Sequence, residues 1–295
     1  MSVRISSVQP YNNLLQGINR QTEARTKANA NIAAGTRFQT PAQAGLDYKI
    51  SLDLRQMRKV ETNAITAAGV AESRLSATQV ALMDMERLLS RAQVLAVQHA
   101  SANVAGTHAA AAVEVKHLLD QAVQDANQQF EGQYLFSGTA TDTQPWTVNL
   151  STGTSTYNGS TNARTVQITE TQTVVSNELG NDPAFQDTFN ALIKLYNGLN
   201  NSDQAQIQSA LGDLNTARDE VVKLDTSAGA KLAALRKIKT AHEEMKAALD
   251  KRINTHEAVD IPKLVSDIQL TDVALQASYK QVAAMSSLSL VNFLR

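Results

Sequence analysis

The chain has 295 residues and no cysteine. Disulfides, thiolate catalysis and cysteine-based zinc sites are therefore excluded. The absence also fits a protein that leaves the cell without oxidative folding. Proline is scarce, with five in the whole chain, which leaves room for long uninterrupted helices. Aromatic residues make up only 4%, although apolar residues reach 43%. Alanine supplies much of that apolar share. It suits thin helix-on-helix packing better than a thick globular core. Neither sign of charge dominates: 27 Lys and Arg stand against 28 Asp and Glu, a net charge of −1. No global field draws the chain to nucleic acid or to an anionic membrane. No stretch approaches the ~20 apolar residues of a membrane span. The opening "MSVRISSVQPYNNLLQG" has no apolar core of the secretory kind, so no cleaved signal peptide is expected. Export would need another route.

What is present is helical periodicity. Ile5, Val8, Tyr11, Leu15 and Ile18 follow steps of three and four and share one helical face. This first segment, about 5–32, ends at "AAGTRFQTP", where Gly35 suits a helix C-cap and Pro41 blocks simple continuation. The strongest signal comes next. Ala68, Leu75, Leu82, Leu89 and Ala96 recur every seven residues, and so do Ala64, Ala71, Thr78, Met85 and Ala92. Such an a/d heptad predicts one helix from about Leu46 to about Ala102, on the order of 80 Å long. A helix of that length must lie along partners. The pattern breaks at Gly106. A second helix then shows Val115, Leu119, Val123, Ala126 and Phe130 on one side, antiparallel to the first because the connection is short.

Composition changes sharply over 132–182, which is dense in Thr, Ser, Gly and Asn. Asn158-Gly159 between short alternating runs is a hairpin cue, and Val166 and Ile168 alternate with Thr165 and Gln167. The segment reads as a small β-rich insert anchored by Trp146. Helices resume near Pro183, with Phe185, Phe189, Leu192 and Leu195 on one face. "AQIQSALGDLNTARDEVVKL" follows, and a last helical region spans about Ala230 to Leu294, interrupted near "HEAVDIP". Ile261, Ile268, Leu275 and Val282 form another seven-residue series there, joined by Met285, Leu288 and Phe293. Both terminal stripes have nothing in cis to cover them except each other. Ile5, Val8, Tyr11, Leu15, Ile18, Ile268, Leu275, Val282, Met285, Leu288 and Phe293 are thus the expected assembly interface. Three parts are expected: residues 1–40 with 255–295 as a terminal helical assembly domain, 41–131 with 183–254 as a helical bundle, and 132–182 as the insert. The fold class is mainly α, a long antiparallel coiled coil or bundle built from both ends of the chain.

Motifs for chemistry are missing. His99, His108 and His117 are nine residues apart and do not share a helix face, so they read as exposed or rim residues rather than metal ligands. "AHEEM" lacks the second histidine of a zinc helix, and no phosphate-binding glycine loop occurs. The insert holds only Asp142, Glu170, Glu178 and Asp182 as acids, with no histidine. Within residues 1–50, Arg4, Arg20, Arg25, Lys27, Arg37 and Lys49 are spread out as a solvated helical face, not clustered for nucleic acid. No catalytic residue, cofactor or metal is expected, and neither nucleic acid nor membrane is expected as a partner.

The segment "NIAAGTRFQTPAQAGLDYKISLDLR" resembles the helix–Gly–basic–turn–helix passage of the flagellin superfamily, although "TPAQAG" replaces its usual acidic step. "GQYLFSGTATDTQPW" and "LQASYKQVAAMSSLSLVNFLR" are more similar to the hook-associated protein 3 branch than to filament flagellin. The resemblance covers about 1–138 and 183–295 and leaves the insert unmatched. It implies a non-enzymatic structural component of the bacterial flagellum, an adaptor that polymerises between hook and filament. Implied partners are further copies in a helical array, hook-associated protein 1 on the hook side, flagellin on the filament side and a cytoplasmic export chaperone. The implied location is extracellular, on the flagellum, after export without a cleaved signal peptide. Two other readings stay open: filament flagellin, and a secreted adhesin or enzyme with its activity in the insert.

Overall fold

A computed structural model describes residues 8–100 and 106–293, without the side chains of Val8, Gln43 and residues 286–293. In chain order the elements are α1 Val8–Ala34, α2 Pro41–Ala44, α3 Leu46–His99 and α4 His108–Ala126. The short strands β1 Gln129–Phe130, β2 Gln133–Tyr134, β3 Trp146–Asn149, β4 Thr154–Tyr157, β5 Thr165–Thr169 and β6 Gln172–Val175 follow. The helices α5 Pro183–Asn200, α6 Gln204–Glu257 and α7 Ile261–Phe293 close the chain. Two compact units result: Met1–Arg58 with Ala247–Arg295, and Lys59–Lys246.

In the second unit every residue of the α3 double heptad, from Ala64 to Ala96, is at most 1% exposed. Each buried Leu contributes roughly 1.5–3 kcal/mol over an exposed one. The facing helix α6 carries its own seam, Ile207, Leu214, Val221, Ala228 and Leu235, at the same seven-residue spacing. Polar pairs beside the seams fix the register: Gln93 with Asn215 (2.9 Å), Glu86 with Arg218 (3.1 Å), Glu72 with Arg236 and Lys239 (2.9 and 3.0 Å), and Glu61 with His242 (2.6 Å). Numbers fall on one helix as they rise on the other, so α3 and α6 run antiparallel. α4 is antiparallel to α3 as well, through Arg91–Glu114 at 2.7 Å and the ring contact of His99 with His108. α4 and α5 pack together in the same core.

Four local readings differ from the sequence pattern. First, α6 is one helix of 54 residues rather than two. It runs through Gly229, whose bare Cα leaves room for the Gln79 side chain on α3. Second, Asn158-Gly159 is not a hairpin turn. The β3–β4 turn lies at residues 150–153, and Gly159 instead permits close contact with the Tyr157 ring and the Ser137 backbone. Third, α4 stops at Ala126, so Phe130 belongs to β1 and not to the helix face. Fourth, His99 and His108 are buried, not at the rim, because the α3 and α4 ends bring their rings together edge to face, with centroids 5.3 Å apart.

The insert forms three separate antiparallel hairpins, β1–β2, β3–β4 and β5–β6. Trp146 anchors the β3–β4 hairpin to the helices, while Ile168 of β5 packs with Leu75, Leu232 and Leu235. The Trp146 Nε1–H donates to the Gly180 carbonyl at 3.0 Å, and its ring packs on Tyr157, Phe185 and Phe189. Asn127, at the end of α4, accepts from the Trp146 backbone N–H and donates to its carbonyl, both at 2.9 Å. A side chain that satisfies both backbone groups locks the strand to the helix end.

Candidate assembly surface

The first unit is built around two loops that reverse the chain at neighbouring points. Gly35 ends α1 with φ 68°, a conformation glycine adopts at no steric cost. α7 begins after the Ala258–Asp260 break, with Asp260 Oδ1 accepting from the Lys263 N–H at 3.1 Å as an N-cap. The two loops are cross-tied. Thr36 and Ala258 form an isolated antiparallel bridge, and the Arg37 N–H donates to the Glu257 carbonyl at 2.9 Å. The Arg37 guanidinium donates to the His256 carbonyl, with Nη2 at 2.7 Å. Glu257 is the node. Arg55 donates to both of its carboxylate oxygens (2.9 and 2.6 Å), and Ser51 Oγ donates to Oε1. The hydrogen bonds from Arg55 lead the causes that hold the Glu257 carboxyl below the usual carboxylate range.

From this node α1 and α7 run antiparallel against each other, joined by Arg25–Asp272 at 2.9 Å. A polar and apolar groove between them is lined by Ala28, Asn31, Leu264, Ile268 and Thr271. Of the residues expected to form the interface, Ile18 and Leu275 are buried in this unit. Tyr11, Ile268, Val282 and Met285 are half-buried, and Leu15 is exposed. Val8, Leu288 and Phe293 lie on the helices, but their side chains are outside the described residues, and Ile5 lies outside them altogether. The spacing argument missed a second set. Val265, Leu270, Val273 and Tyr279 are exposed on α7, with Leu270 and Val273 at 67% and 65%. Their signal was hidden because they are offset from the seven-residue series that turns Leu275 inward.

Among the described residues no group of three or more His, Asp or Glu could hold a metal, and no helix is long and apolar enough to cross a membrane.

Residues 5–141 match the bacterial flagellin N-terminal helical region. No curated protein sequence matches the chain. Solved structures with a similar fold include a flagellar hook-associated protein from Vibrio parahaemolyticus, at 20% identity and TM-score 0.67, covering 73% of this chain and 100% of that one. FlgL from Bacillus cereus aligns at 21% identity and TM-score 0.61 over 68% and 99% of the two chains. The flagellar junction protein FlgL from Legionella pneumophila aligns at 16% identity and TM-score 0.54 over 71% and 100%. The chain therefore shares the fold of these flagellar proteins and carries the flagellin N-terminal helical pattern.

Proposed function

We propose that the chain is a structural subunit of the bacterial flagellum, an adaptor that polymerises at the junction of hook and filament. The observation that carries this reading is a pair of terminal helices tied together at one node, with large apolar side chains still bare on α7. Exposed apolar surface in a water-filled setting marks a site of association. Leu270 and Val273, three residues apart on one side of α7, suit a neighbouring copy that lies alongside. Contacts of this kind are heterologous and propagate into a helical array rather than closing into a small oligomer. Hook-associated protein 1 would bound the array on the hook side, and flagellin would continue it. Before export, the same apolar face needs cover, which an export chaperone with an apolar groove would supply. A chain of this kind acts by binding and catalyses no reaction.

Deletion of the gene tests the proposal. The expected phenotype is intact hooks, absent filaments and flagellin secreted as monomer. Immunogold labelling of isolated flagella should mark the junction alone; label along the whole shaft would instead identify a filament subunit. Excision of 139–181 tests the insert. Retained swimming would show that the junction does not depend on it.

A further inference from the structure

Arg74 stands between Ala71 and Leu75 on α3 and is only 4% exposed. An arginine is almost never so deeply buried without a carboxylate beside it. Among the described residues no carboxylate pairs with Arg74. Its Nη2 donates to the Tyr134 carbonyl at 2.5 Å and its Nη1 reaches Gln133 Oε1 at 3.4 Å, both neutral acceptors. Its Nε is enclosed and has no acceptor.

A second guanidinium shares the place. Arg164, on the approach to β5, donates from Nη1 to the same Gln133 Oε1 at 2.5 Å. It is half-buried, and among the described residues no carboxylate pairs with it either. Glu131, in the left-handed turn before β2 (φ 52°), attracts Arg74 without forming an ion pair. Two cations thus meet one amide oxygen, with the exposed Glu131 nearby. Burial, and after it the charge of Arg164, push the Arg74 guanidinium down to about 10. Two like charges held together at a partly dry site leave an unmet demand for negative charge.

We propose that the Arg74–Arg164 pair is a receptor for an oxyanion, a carboxylate or phosphate group. Arg164 is the contacting residue. Its Nε and Nη2 make no hydrogen bond among the described residues, and a guanidinium fork matches two oxygens of one anion. Arg74 supplies the field from behind. Gln133 holds the two cations in register, and the Tyr134 carbonyl keeps Arg74 from swinging out. The oxyanion has two sources: a carboxylate on a neighbouring copy, which rests on the array reading above, or dissolved inorganic phosphate.

The test is a titration of the full-length, 15N-labelled chain with sodium phosphate at constant pH and ionic strength, followed by NMR. The expected result is a saturable shift of the Gln133, Tyr134 and Arg164 signals, lost in Arg164→Gln, which removes the charge and the guanidinium fork. Constant ionic strength removes general screening, which would move many surface signals without saturation. Should Arg164→Gln misfold, Arg164→Lys replaces it; the lysine keeps the charge but loses the fork, so weaker binding is expected. A parallel titration with acetate separates the sources. A response to both anions supports a carboxylate-accepting site, and a response to phosphate alone supports a free-anion site. No saturable shift in the wild type, or equal shifts in wild type and Arg164→Gln, would overturn the proposal.

Discussion

A single seven-residue step explains why Leu82 and Leu89 matter more than their neighbours. Both lie on the α3 seam with no exposed surface, while Met83 and Val80, one and two residues away from Leu82, remain open. Leu82→Ala or Leu89→Ala should cost roughly 2–5 kcal/mol in urea unfolding, and Val80→Ala less than about 0.5 kcal/mol. Two ionisable groups in the same unit respond to acid with opposite signs. Burial, and then His108, hold the His99 imidazole below its ordinary range. The unfolded chain takes a proton that the folded chain refuses. The His99 contribution is therefore complete above about pH 6.5 and is lost as pH falls through the folded value. For Asp125, burial first and Asp84 second push the carboxyl up to about 6. Its folded value lies above the unfolded one, so its contribution is present below about pH 4 and lost as pH rises through about 6. At neutral pH the Asp125 carboxylate is a cost, with Oδ2 buried and unpartnered. Asp125→Asn should raise stability at pH 7.5 by about 1 kcal/mol after allowance for solvent screening, and change little at pH 4. Equal effects at both pH values would place the gain elsewhere.

Elements in this chain are legible in proportion to how local their causes are. The α3 heptad predicts its own boundaries, Leu46 to about Ala102 against an observed end at His99, because a seam of Ala and Leu carries its period in the sequence. The α5 face of Phe185, Phe189, Leu192 and Leu195 is just as direct, and all four are fully buried. The place of Gly229 inside α6 is not a local matter: a Cβ there would crowd the side chain of Gln79, about 150 residues away along the chain. The burial of His99 and His108 depends on two helix ends meeting, which spacing along one helix does not encode. The cross-tie at Glu257 is hidden for the same reason, since Arg37, Ser51 and Arg55 come from far upstream. Its worth is measurable. Glu257→Gln removes the charge that both Arg55 bonds use while keeping the shape, and should cost about 1–3 kcal/mol. The Glu257 carboxyl is held low, so its contribution is whole above about pH 4.5 and lost as pH falls through the folded value. The variant should therefore lose part of the acid limb of the stability curve below about pH 4.5. An unchanged acid limb would show that Glu257 does not pin the two loops.

At the scale of the whole molecule, the apolar residues of α7 divide into two sets with separate duties. Leu275 faces inward at 5% exposure, within the unit that holds α1 and α7, while Leu270 and Val273 are mostly open to solvent. A charge introduced at the first position is buried without a partner, which costs several kcal/mol. A charge at either of the others meets water in the monomer and costs almost nothing there. Leu275→Asp should therefore lower the melting temperature of the monomer and impair assembly only as a consequence. Leu270→Asp and Val273→Asp should leave the monomer's melting temperature within the spread of ordinary surface substitutions, yet block incorporation into flagella, because the charge would be buried against the neighbouring copy. The three variants can be compared by calorimetry of the purified monomer beside electron microscopy of a complemented deletion strain. If Leu270→Asp and Val273→Asp both restore full-length filaments, the open face of α7 is not an assembly surface, whatever becomes of Leu275→Asp. If they melt early in the monomer as well, the two sets do not divide as the burial pattern says. Only the combination of a normal monomer and an absent filament assigns this face of α7 to a neighbouring subunit.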